Sequence, residues 1–172
     1  MVPLDLSAES GGGGENAERT VEWVSWPGAR TDQKESAMTN AGAMLDTYPQ
    51  DRDGFDHDLL VACLDACFEC AQTCSACADA CLAEDMVADL RKCIRTNLDC
   101  ADVCATTGRI LSRHTGYDAN LTRAIVQACL TACQTCGGEC ASHADMHEHC
   151  RICAEVCRRC EQACRDLLTS LG

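Results

Sequence analysis

Aromatic residues make up 3% of this 172-residue chain, so a core built on packed rings is excluded. Proline occurs 3 times, which leaves few helix breakers. Abundant Ala, Leu, Glu, Asp and Gln favour helix instead. Basic residues are few: 14 Lys and Arg face 27 Asp and Glu, for a formal net charge of −13. That balance argues against nucleic acid and anionic membrane surfaces, which both call for basic patches. No run reaches the roughly 20 apolar residues of a membrane span. The opening MVPLDLSAESGGGGENAERT lacks a basic start, an apolar stretch and a twin arginine. No export signal is therefore expected, and the expected location is a reducing cytosol, where structural disulfides rarely persist.

Cysteine is what the chain has in excess, with 18 residues. In a reducing compartment so many thiols point to metal. None lies before residue 63, and residues 1–50 differ from the rest in holding Gly11 to Gly14 in a row and both tryptophans, Trp23 and Trp26. The expected organisation is an irregular, flexible N-terminal extension over 1–50 and one helical metal-storage domain over 51–172. The alternative for the extension is a segment that docks Trp23 and Trp26 on the domain or a neighbour.

From residue 51 onward the pattern is helical. Helices are expected over about 56–84, 86–114, 118–143 and 146–171, with Gly108, HTGYD (114–118) and Gly172 as punctuation. Asp145, three residues before Glu148, suggests a capping box at the start of the last helix. The first helix carries Cys63, Cys67, Cys70, Cys74, Cys77 and Cys81; the second Cys93, Cys100 and Cys104. The third carries Cys129, Cys133, Cys136 and Cys140; the fourth Cys150, Cys153, Cys157, Cys160 and Cys164. CLDACFECAQTC (63–74) repeats as CLTACQTCGGEC (129–140), and Asn97 stands where the second copy has Cys157. Two related helical hairpins predict an all-α, antiparallel four-helix bundle.

Steps of three and four follow the 3.6-residue turn, so each cysteine series occupies one helix face. In a bundle that face is the core seam. Cys63 to Cys81 then spans roughly 27 Å of the axis at 1.5 Å per residue, and the interior is expected to be a sulfur-lined tube. Simple packing of cysteine as a small hydrophobe does not account for the series, because replacing leucine-sized groups throughout leaves volume unfilled. Disulfides within a straight helix are disfavoured by the direction of the Cβ vectors.

Thiolates select Cu(I), zinc and iron–sulfur clusters. Zinc sites and iron–sulfur motifs usually present their cysteines from turns and loops, whereas these pairs sit inside helices and continue without grouping into fours. A cysteine pair one turn apart suits Cu(I), and neighbouring pairs can share thiolates. Isolated two-thiolate copper sites would bury many uncompensated charges, while one copper per bridging thiolate is neutral. Loading is therefore expected nearer ~18 than ~9 ions per chain. A zinc or general soft-metal buffer and an iron–sulfur electron carrier remain as alternatives. A thiol redox enzyme is disfavoured, since it needs one activated thiol rather than a uniform array. No catalytic residue is assigned.

Beyond the thiols the two ends of the bundle differ. Leu59, Leu60, Ile110, Leu111, Ile125, Val126, Leu167 and Leu168 should form an aliphatic plug at one end, where His57 and His114 are expected to be structural or solvated. Met86, His143, Met146 and His147 gather at the other. His143, His147 and His149 are expected to receive Cu(I) and pass it inward, with Met86 and Met146 as possible assistants. Asn97 is expected to mark a gap in the array. Leu64 and Phe68, offset from the stripe, suggest an oligomer interface.

These series, together with SHADMHEHC (142–150), resemble the bacterial cytosolic copper storage proteins over roughly residues 51–172. The resemblance implies a cysteine-rich four-helix bundle holding many Cu(I) ions, a copper-admitting end at the histidines, and a homotetramer. The long N-terminal extension departs from it.

Overall fold

The computed structural model describes residues 40–49, 54 and 56–171. The expected extension lies mostly outside the described residues, as do Trp23, Trp26 and Gly172. A short helix α1 (Ala41–Asp46) precedes four long ones: α2 (His57–Leu82), α3 (Arg91–Leu111), α4 (Ala119–Ala141) and α5 (Glu148–Ser170). A 3-10 turn over Val87–Leu90 leads into α3. Each long helix packs on its neighbour in sequence, and α5 closes the ring against α2. Short connections between successive helices make those neighbours antiparallel. The expected four-helix bundle is the observed fold.

Local chemistry sets the helix starts. Asp56 accepts the Leu59 N–H at 3.0 Å and Asp118 accepts that of Leu121 at 2.8 Å, each satisfying one orphan donor of the first turn. Gly116 turns the chain between α3 and α4 at φ +61, a backbone region that glycine enters without steric cost.

Several expected details change. Asp145 does not cap α5; the N-cap is His147, without a side-chain cap bond. Turns through His143–His147 delay the helix, with the Met146 and His147 N–H groups both bonded to the His143 carbonyl. Glu148 pairs with Arg151 instead. Gly108 is not a stop. It is buried inside α3, where a Cβ would lie 2.9 Å from Phe68 Cζ, so it is the notch that receives the ring. Leu64 and Phe68 do not form an outer surface: Leu64 is buried in the core and Phe68 packs against it. Both line a cavity of about 320 Å³ beneath α1, together with Met44, Leu45, Tyr48 and His114.

The α1 helix lies inside the stretch assigned to the extension and buries Leu45. Tyr48 meets the His114 ring edge-on at 5.5 Å and shares a 2.7 Å hydrogen bond with Thr115. His57 Nε2 stands 3.0 Å from Asp46. Of these two histidines, His114 packs against Tyr48, just beyond α1, and His57 lies beside Asp46 at its end.

By length and composition α2 qualifies for a membrane span, with a mean hydropathy of 1.3 over 18 residues, contrary to the expectation that no stretch would. Its six cysteines contribute much of that apolarity, and all six face the other helices as buried residues.

A candidate Cu(I)-storing core

All 18 cysteines are buried, and all are free thiols. They form a continuous column with the aliphatic plug at its foot, where Leu60, Leu111, Val126 and Leu167 are buried beyond the first sulfur pair. That pair is Cys63 and Cys164, with sulfurs 3.9 Å apart. Higher up, Cys104 touches Cys129 and Cys133 at 3.6 Å each, and Cys74 touches Cys153 and Cys157 at 3.6 Å each. The interior is therefore not an open tube: the sulfurs close on one another across the axis.

Most close pairs join different helices. Fewer follow the one-turn pairing that spacing suggested, Cys70–Cys74 at 3.7 Å and Cys100–Cys104 at 3.8 Å among them. The reason is the bundle's cross-section, in which every layer receives side chains from several helices. The thiols do group into fours, contrary to expectation. Cys67, Cys129, Cys160 and Cys164 form one group whose sulfurs all lie within 4.8 Å of one another. Cys70, Cys104, Cys133 and Cys160 form the next; Cys70, Cys74, Cys100 and Cys157 another; Cys74, Cys136, Cys153 and Cys157 a fourth. Cys70, Cys74, Cys157 and Cys160 each belong to two groups. Metal–thiolate bonds near 2.3 Å, the zinc value, let one ion join two sulfurs up to about 4.6 Å apart. The contacting pairs already lie within that reach, and shared members supply bridging sulfurs.

Neighbouring sulfurs divide into acceptors and donors of protons. Cys63 is pushed down to about 5 by hydrogen bonds from Cys164 and Cys67. Cys93 falls to about 2, chiefly through Cys140 and then Cys77. Cys70 is held far below the usual thiol range by Cys100 and Cys104, while Cys74 is held far above it. Cys81, near the histidines, is pushed up to about 11, first by burial and then by the charge of Cys93.

Asn97 fills its place on the stripe completely buried. Its amide N–H donates to the Cys93 carbonyl at 2.8 Å and to the sulfurs of Cys93 and Cys140 at 3.3 Å each. Its oxygen accepts from Cys153 at 3.0 Å and Cys136 at 3.4 Å. The expected gap is a saturated hydrogen-bonding centre.

The three histidines do not play equal parts. His149 turns Nδ1 toward Cys77 at 3.4 Å, Cys150 at 3.5 Å and Cys81 at 4.0 Å. With those thiols it forms a fifth four-ligand group at the top of the column. His147 Nδ1 instead lies 2.9 Å from Glu84, and His143 Nε2 lies 3.5 Å from Glu139, which also pairs with Lys92 at 2.5 Å. Met86 and Met146 are exposed at this end. Glu84 and Glu139 escaped the sequence reading, because a loop or helix-face carboxylate carries no local signal of a histidine across the mouth.

Comparison with known proteins agrees with this geometry. A family model described as copper storage protein matches residues 56–169. The copper storage protein Ccsp from Streptomyces lividans, loaded with 10 copper equivalents, shares 62% identity with this chain at a TM-score of 0.76. The alignment covers 76% of this chain and 99% of that one. A second Streptomyces lividans structure, a cytosolic copper storage protein with five coppers, has 65% identity and a TM-score of 0.66, covering 67% and 96% of the two chains. Cu(I)-bound BsCsp3 is more distant at 34% identity and TM-score 0.56, covering 62% and 95%. A buried thiol column, a match across all four long helices and this degree of likeness place the chain in the copper storage protein family.

Proposed function

We propose that the chain stores many Cu(I) ions in the cytosol as thiolate-bound cargo inside its bundle, and thereby limits copper toxicity. The observation that carries this reading is the set of overlapping four-sulfur groups, all buried, that share Cys70, Cys74, Cys157 and Cys160. Shared thiolates suit a run of bridged copper ions better than separate zinc sites with four ligands each. The ligands we assign are the 18 cysteines with His143, His147 and His149 at the mouth. The likeness to a Streptomyces protein described as cytosolic supports the location.

The role is binding rather than catalysis: the thiols stack as an array instead of isolating one activated nucleophile. The acidic exterior, with its net charge of −13, disfavours nucleic acid and anionic membranes as partners. The family resemblance supports a homotetramer, and the exposed Leu98, Leu121 and Ile152 offer apolar contact surface.

Metal analysis after anaerobic purification from copper-supplemented cells tests the reading. A colourless protein carrying many coppers per chain is expected. Zinc as the dominant metal, or a brown iron–sulfur chromophore, would overturn it.

A further inference from the structure

Glu84 sits on the connection after α2, and one of its oxygens serves two imidazoles. His147 Nδ1 lies 2.9 Å from Glu84 Oε1, and His149 Nε2 lies 3.1 Å from the same atom. The rings stand 5.4 Å apart, tilted by 33°. A carboxylate oxygen is an acceptor, so both imidazoles donate to it. Donation fixes which nitrogen of each neutral ring carries the proton, and they are opposite nitrogens. His147 is held with its proton on Nδ1, which leaves its Nε2 lone pair free. His149 is held with its proton on Nε2, which leaves the Nδ1 lone pair facing Cys77, Cys81 and Cys150.

From this geometry we propose that Glu84 is a positioning residue for copper transfer, imposing complementary tautomers on His147 and His149. One ring offers its lone pair away from the carboxylate through Nε2, and the other offers its own to the thiol column through Nδ1. A Cu(I) ion taken by His147 passes to His149 and the mouth thiols by ligand exchange, with no change in the copper's oxidation state. Glu84 touches neither copper nor sulfur in this scheme. It acts through the rings, as carboxylates behind metal-bound histidines commonly do. The proposal rests on the reading of both histidines as copper ligands.

Long-range 1H–15N correlation spectra of the apo full chain report each ring's tautomer directly. The wild-type protein is expected to show His147 protonated at Nδ1 and His149 at Nε2. Glu84→Ala is expected to release His147 to the Nε2-protonated form and to weaken retention of the first copper equivalent, against a chromophoric Cu(I) chelator, by about tenfold. Final capacity should not change. Glu84→Gln, which keeps one acceptor oxygen in a side chain of the same shape, is expected to fall between the two. A merely structural Glu84 would leave the ring tautomers where they were. Unchanged tautomers in Glu84→Ala, or altered tautomers with unchanged copper retention, overturn the proposal. His149→Ala separates the two readings. If it too leaves first-equivalent retention unchanged, the ligand assignment fails; if it weakens retention while Glu84→Ala does not, only the role of Glu84 fails.

Discussion

Cys81 shows at the scale of one residue what copper competes against. Burial pushes this thiol up to about 11, so at pH 7 it carries its proton. A thiol must lose that proton to bind as thiolate, so copper uptake releases protons and its affinity depends on pH. The sign follows directly: retention by Cys81, and by Cys150, which burial likewise raises, should strengthen as pH rises from 6 toward 9 and weaken as it falls. Chelator competition across that range, with proton release measured in weak buffer, checks it; pH-independent retention would contradict it. Asn97 makes a second residue-scale case. Its amide satisfies buried thiols on α4 and α5 and a carbonyl on its own helix. Asn97→Ala should lower apo stability by about 1–3 kcal/mol, read as the shift of a urea melt under reductant. Spacing located this residue on the stripe but gave no hint of its bonds, because its partners come from helices brought together only by the fold.

The elements were the most legible level. Three- and four-residue cysteine steps disclose four helices and their inward faces, since nothing but a 3.6-residue turn puts that series on one side. Their ends were less legible. Asp56 and Asp118 cap as their type suggests, and Asp56→Ala should cost about 1 kcal/mol of stability by thermal melt. Asp145 has the right identity and spacing too, yet turns through His143–His147 move the start of α5 past it. Gly108 reads as punctuation in the sequence, but its purpose lies on another helix, in the ring of Phe68. Gly108→Ala should therefore destabilise the bundle by about 1–3 kcal/mol through overpacking, despite alanine's better helix propensity. Adding Phe68→Leu should recover part of that loss, a coupling that melts of both single variants and the pair will show. The α1 helix was hidden in a stretch whose composition suggested only an extension. Six residues are too few to declare a helix by periodicity, and this one is secured by Leu45 and Tyr48.

For the molecule as a whole, the two ends of the bundle differ: a plug of Leu60, Leu111, Val126 and Leu167 at one end, and imidazoles with carboxylates at the other. His143→Ala with His147→Ala should slow copper uptake while barely lowering capacity, as followed by stopped transfer from a Cu(I) chelator; unchanged kinetics would place the way in elsewhere. The composition made the sulfur core legible, but it suggested an open tube of pairs. The folded chain instead shows touching sulfurs in overlapping fours. That arrangement sharpens the central claim, that thiolates bridge and each balances one copper. Anaerobic titration of the fully reduced chain with Cu(I) against a competing chelator tests it most directly. Saturation near ~18 ions per chain is the result that charge neutrality predicts; saturation near ~9 would mean isolated two-thiolate sites and would contradict the account.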